Sequence, residues 1–139
     1  MAIWKVRPLL QERIWGGRNL EAFGRSCPEG QKIGESWELV DRPEAQSVVE
    51  QTGQTLGSLW RGSERERIFG RRAGQGERFP ILIKLLDAEE KLSLQVHPPA
   101  ERAKELGGEP KTEMWFFFKD PTQGGHLCWI EKGGGEGGV

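Results

Sequence analysis

Residues 79–88, FPILIKLLDA, form a nearly continuous apolar run broken by one charge, Lys84. Its length is that of a buried strand, covered on both faces, which needs neighbours to cover it. A lysine inside such a run must escape burial or be paired. The flanking sequence supplies candidate neighbours. Extended stretches are expected at 3–8 (IWKVRP), 11–17 (QERIWGG), 35–41 (ESWELVD), 46–51 (QSVVEQ), 92–97 (LSLQVH), 111–120 (KTEMWFFFKD) and from 124 (GGHLCWIEK). Turn residues separate them: Pro8, the pair Gly16–Gly17, RPEA at 42–45, AEEK at 88–91 and Pro98–Pro99. Helical turns fit only 19–23, 55–62, 63–70 and 100–108. Many short strands with few short helices predict a mainly β chain, an antiparallel sandwich or barrel.

Composition narrows the partners. Twenty basic and 21 acidic residues leave a net charge of -1 in 139 residues, which favours neither nucleic acid nor an anionic membrane. No apolar run reaches the roughly 18 residues of a membrane span, and the N-terminus is not that of a signal peptide. Cys27 and Cys128 stand far apart and are read as reduced cytosolic thiols. Glycines crowd the end of the chain, in GGGEGGV, where little packing is expected.

The chemistry gathers on 91–100, KLSLQVHPPA. In a strand, residues two apart point to one side. Leu92, Leu94 and Val96 would pack the core while Ser93, Gln95 and His97 face the other way, just before two prolines end the strand. Lys111 and Glu113 share a face of a later strand in the same manner. If the two strands are neighbours, an amide oxygen, an imidazole and a carboxylate meet, a donor set suited to a divalent metal such as zinc. Spacing alone leaves the plainer reading of His97, an ordinary strand-end residue, as the commoner one.

The residues ILIKLLDAEEKLSLQVHP followed by GEPKTEMWFF resemble the type I phosphomannose isomerases of the cupin superfamily. That family has a strand ending in Gln-x-His-Pro and then a Lys-(Thr/Pro)-Glu-(Ala/Met)-Trp segment. RIWGGRNL and KIGESWELVDRPEAQSVV resemble its two N-terminal motifs, so four motifs occur in order from about residue 3 to about residue 120. The resemblance implies a cupin-like jelly roll, here incomplete, with 1–125 as the N-terminal portion of the domain and 126–139 as a partial strand and glycine-rich end. It implies a cytoplasmic, metal-dependent isomerase of a sugar phosphate, interconverting mannose 6-phosphate and fructose 6-phosphate.

By the same resemblance the metal ligands are Gln95, His97 and Glu113, and the metal is zinc. Lys111 borders the sugar as the catalytic residue, Ser93 and Lys84 face the phosphate, and Trp15 lines the pocket. Glu35 supports the site, and Trp37, Trp60 and Phe116–Phe118 belong to the core. The family's fourth ligand, a later histidine, has no counterpart. His126, 13 residues after Glu113, stands too early for it. The family's active-site arginine and the strands that close its barrel have no counterpart either. The chain is therefore expected to be the N-terminal part of a longer isomerase, with little activity by itself and exposed strand edges that favour self-association. The alternative is a cupin-like module that binds a metal or sugar phosphate without catalysis.

Overall fold

The computed structural model describes residues 3–74, 76–92 and 94–118, together with the backbone of 127–133. Its centre is the strand β5 (Ile81–Leu86), the apolar run of the sequence. On one side β5 pairs antiparallel with β2 (Ile33–Leu39), which pairs in turn with β1 (Leu9–Gly17). On its other side it pairs with β7 (Leu127–Gly133), and β7 pairs with β6 (Lys111–Phe117). The five-stranded order is β1-β2-β5-β7-β6, with a separate ribbon of β3 (Asp41–Arg42) and β4 (Ala45–Gln46).

Three expected strands are reduced. Residues 3–8 contribute only the isolated bridge Val6–Val49. Residues 46–51 contribute the end of β4 and bridges at Val48 and Val49. Residues 92–97, apart from Ser93, which lies outside the described residues, form no strand. The physical reason is occupancy: β2 and β7 already take both edges of β5, and Pro98 and Pro99 have no N–H to give a ladder. Leu94 is 93% exposed and Val96 84%, so the expected apolar face of this segment packs nothing; only Leu92 is partly buried, against Leu86.

The helical turns fall where the pattern puts them. Asn19–Phe23 is a 3₁₀ turn closed by Gly24 in the left-handed region (φ 73°). α1 (Leu56–Arg61) is capped by Thr55, whose side chain accepts from Ser58 N at 3.1 Å. α2 (Arg65–Phe69) and α3 (Ala100–Ala103) are single turns. Trp60 of α1 is buried, donates to the Gly76 carbonyl at 2.7 Å, and meets Phe69 and Phe79 edge-on. Trp37, Val40 and Leu82 form a second cluster. Trp37 and Trp60 are thus core, as expected. Phe116, Phe117 and Phe118 are not: the first two lie on β6, the outer strand of the described sheet, Phe118 follows it, and each is well exposed.

The Trp-Gly-Gly motif has a packing reason. A Cβ on Gly16 would fall 2.4 Å from the Gly34 nitrogen, so only glycine lets β1 cross β2 there. The chain then turns on Asp87, which is buried and accepts from Asn19 N at 2.6 Å and Asn19 Nδ2 at 3.0 Å.

Candidate active site

Strand register decides which side chains can meet. Trp37 pairs with Lys84, Lys84 with position 129, and position 129 with Trp115, so these positions share one face of the sheet. Two residues along each strand, Glu35, Leu86, Leu82 and Glu113 lie on the same face. A cavity of about 410 Å³ opens over it. Trp37, Leu82 and Lys84 line its floor, His97 and Lys111 one wall, and Arg42, Glu44 and Glu109 the rest.

Lys84 does not end in hydrocarbon. It is 7% exposed and its ammonium lies 3.3 Å from Glu35 Oε1, with the Trp37 ring centroid 5.6 Å away. Glu35, 6% exposed, also accepts from Arg13 Nη2 at 2.8 Å and Trp37 Nε1 at 2.9 Å through Oε2. A buried carboxylate is held by two cations and an indole, and a buried ammonium by that carboxylate. Each group offsets part of the other's desolvation cost.

The second set of groups lies at the start of β6. His97 Nε2 is 3.5 Å and Lys111 Nζ 2.6 Å from Glu113 Oε1, and Trp115 Nε1 donates to Glu113 Oε2 at 3.1 Å. Burial, the largest single influence, pushes the Glu113 carboxyl up. The short contact with Lys111, the hydrogen bond from Trp115 and the charges of Lys111 and His97 outweigh it and hold the group below its ordinary value.

The structure therefore brings His97, Lys111 and Glu113 together and puts Lys84 on the same cavity. Gln95 is exposed on the irregular segment before Pro98 rather than on a strand beside β6. Trp15 packs against Leu86 and is not among the residues that line the cavity. Ser93 and His126 lie outside the described residues. Three cavity residues escaped the reading of the sequence. Arg42 bonds Glu44 and Glu109, both at 2.9 Å, and so ties the β3–β4 turn to the loop before β6. Arg42 ends the two-residue strand β3, and Glu44 and Glu109 lie in a turn and a loop, where no periodicity marks a shared face.

Two ligands of one tetrahedral cation, bonded at about 2.0–2.1 Å, stand about 3.4 Å apart. The His97–Glu113 separation of 3.5 Å is close to that. Glu113 Oε1 is buried, and its close neighbours among the described residues are the Lys111 ammonium at 2.6 Å and the His97 imidazole at 3.5 Å. A buried carboxylate oxygen facing an imidazole nitrogen at this separation fits two positions on a divalent cation. Among the described residues no group of three or more His, Cys, Asp and Glu is so arranged.

A mainly β chain with a few short helices and a charged cavity on one face of its sheet defines the class, a cupin-type fold, and the comparisons agree. Residues 3–120 match the family model of the phosphomannose isomerase type I catalytic domain, and the chain belongs to that family. It is 43% identical over 117 residues to mannose-6-phosphate isomerase ManA of Bacillus subtilis, covering 81% of this chain and 36% of that protein. Identity to the probable mannose-6-phosphate isomerase GmuF of the same organism is 41% over 119 residues, with the same two coverages. The crystal structure of the mannose 6-phosphate isomerase from Bacillus subtilis superposes with a TM-score of 0.76 at 26% identity, over 93% of this chain and 58% of that one. The chain thus spans about a third of the length of its curated relatives. Its fold is the cupin fold expected from the motifs.

Proposed function

We infer that this chain carries part of the active site of a mannose-6-phosphate isomerase, a metal-dependent aldose–ketose isomerase acting on mannose 6-phosphate and fructose 6-phosphate. The observation that carries this reading is the meeting of His97, Lys111 and Glu113 on the cavity that Lys84 also lines. Family membership supports it, as do the printed activities of the relatives. Among the described residues no helix is long and apolar enough to cross a membrane, and we read the protein as cytoplasmic.

The reaction moves a proton between C1 and C2 of the open-chain sugar through an enediolate. His97 and Glu113 would hold the cation, zinc in our reading, with Gln95 as the further ligand that the family resemblance implies. A cation held there would supply polarisation of the sugar oxygens that gain negative charge. Lys111 is the catalytic residue: its ammonium lies at the cavity wall beside Glu113, where it can return a proton to the sugar oxygen or stabilise the oxyanion. Lys84, with Ser93, serves the phosphate. A floor of Trp37 and Leu82 excludes water from one side of the sugar.

A chimera tests this. This chain replaces the matching N-terminal segment of the Bacillus subtilis relative ManA. The chimera is expected to isomerise mannose 6-phosphate, to lose activity to a chelator and to regain it with zinc. Lys111→Met should cost about two to three orders of magnitude in kcat with the fold intact. A folded chimera without turnover, or one indifferent to Lys111→Met, would refute the assignment.

A further inference from the structure

Glu35 is a buried carboxylate on the cavity side of the sheet with three side-chain partners, yet it is not among the residues that line the cavity. Its bonds run to residues of three neighbouring strands: Arg13 on β1, Trp37 on its own strand β2, and Lys84 on β5. Of these, Lys84 and Trp37 form part of the cavity floor. The carboxylate thus holds, from beside the cavity, two groups that line it.

We propose that Glu35 is a positioning residue, which fixes the Lys84 ammonium against Trp37 for an anionic ligand, with Arg13 offsetting the carboxylate's charge. A lysine has four rotatable side-chain bonds, and a grip at its end removes most of the freedom a ligand would otherwise have to remove. The grip carries a penalty, because a carboxylate beside the ammonium repels an incoming anion. Arg13 lowers that penalty. It reaches the opposite oxygen of the same carboxylate from β1, and its side chain is 36% exposed. This inference rests on the reading that Lys84 faces a phosphate.

The sign of one substitution separates positioning from plain charge. Glu35→Gln removes a negative charge close to Lys84, so simple attraction would make an anion bind more tightly. Loss of positioning makes it bind more weakly. The probe is inorganic phosphate, titrated into the ¹⁵N-lysine-labelled chain while the Lys84 Nζ signal is followed by NMR and assigned by its loss in Lys84→Gln. Without phosphate, the Lys84 ammonium protons should exchange slowly in the native chain and at least about tenfold faster in Glu35→Gln. Phosphate affinity should fall about threefold to tenfold in that variant.

Arg13→Gln, at a half-exposed position, covers the case in which Glu35→Gln fails to fold. It should weaken phosphate binding about threefold or more, and Arg13→Lys should restore it to within about twofold. Tighter phosphate binding by Glu35→Gln, unchanged Lys84 exchange in it, or no effect of Arg13→Gln would each overturn the positioning role. Those results leave the phosphate reading of Lys84 standing so long as Lys84→Gln abolishes the response. Native phosphate affinity retained in Lys84→Gln, or no binding by the native chain, would overturn that reading and this inference with it.

Discussion

The two halves of the sheet are built to different standards. In the half made by β1, β2 and β5, the charges on the cavity face are buried and matched: Glu35 with Arg13 and Lys84. Behind it, Arg25 closes on Glu38 at 2.6 Å, with Ser36 bonded into the same pair. On the other side, β6 exposes Met114, Phe116 and Phe117, and the segment before Pro98 exposes Leu94 and Val96. The first half is finished by its own residues. The second carries the imidazole–carboxylate–ammonium group but not the apolar cover that would make it dry. Among the described residues, then, the charges of the first half are paired and buried, and those of the second sit beside exposed apolar side chains.

Stability should divide along that line. Trp60→Ala removes a fully buried indole, its hydrogen bond to Gly76 and two aromatic contacts, and should cost about 3–5 kcal/mol. Phe116→Ala, on the exposed strand, should cost under about 1 kcal/mol. Urea denaturation of both variants measures the contrast, and equal costs would erase it. Glu35→Ala strips a buried carboxylate from Arg13, Trp37 and Lys84 at once and should cost about 3 kcal/mol. A loss below about 1 kcal/mol would mean the cluster is held by packing alone.

The exposed half should also be the adhesive one. An apolar outer strand invites pairing with another copy. Replacing Met114 and Phe116 with glutamate should shift the sedimentation profile towards monomer, whereas a charge added at the already exposed Ile14 of β1 should not. If both behave alike, self-association does not run through β6. The smallest expected effect is in acid. The Glu113 carboxyl titrates below its ordinary value of 4.5, so its contribution to stability is complete above that pH and is lost as pH falls through the lower folded value. Glu113→Gln should flatten the loss of stability that acid titration of the native chain shows as pH falls below 4.5.

Much of this was legible in the sequence where pattern and burial coincide. The run around Lys84 is β5, and its lysine is paired, as an apolar strand demands. The β2 and β6 segments alternate and form strands. The 92–97 segment alternates just as well, yet forms none, because alternation records a preference for a sheet and not whether an edge is vacant. The same limit explains the aromatic row 116–118: β propensity put these residues in or beside a strand, but burial depends on what lies over that strand. Trp15 sits against Leu86 because β1 is shifted in register at Gln11 and again after Glu12, and single-strand spacing carries no record of a bulge. Arg42 and Glu109 were invisible for the opposite reason, being joined only by tertiary contact between the end of β3 and a loop.

The central claim is that His97 and Glu113 share a cation on the cavity that Lys84 and Lys111 line. Zinc titration of the chain, followed through the imidazole ¹⁵N signals, tests it directly because only two histidines are present. The account predicts that the Nε2 resonance of His97 shifts on zinc addition, and that Glu113→Gln weakens this response by about tenfold or more. A His97 signal that ignores zinc, or one that responds equally well in Glu113→Gln, would contradict it.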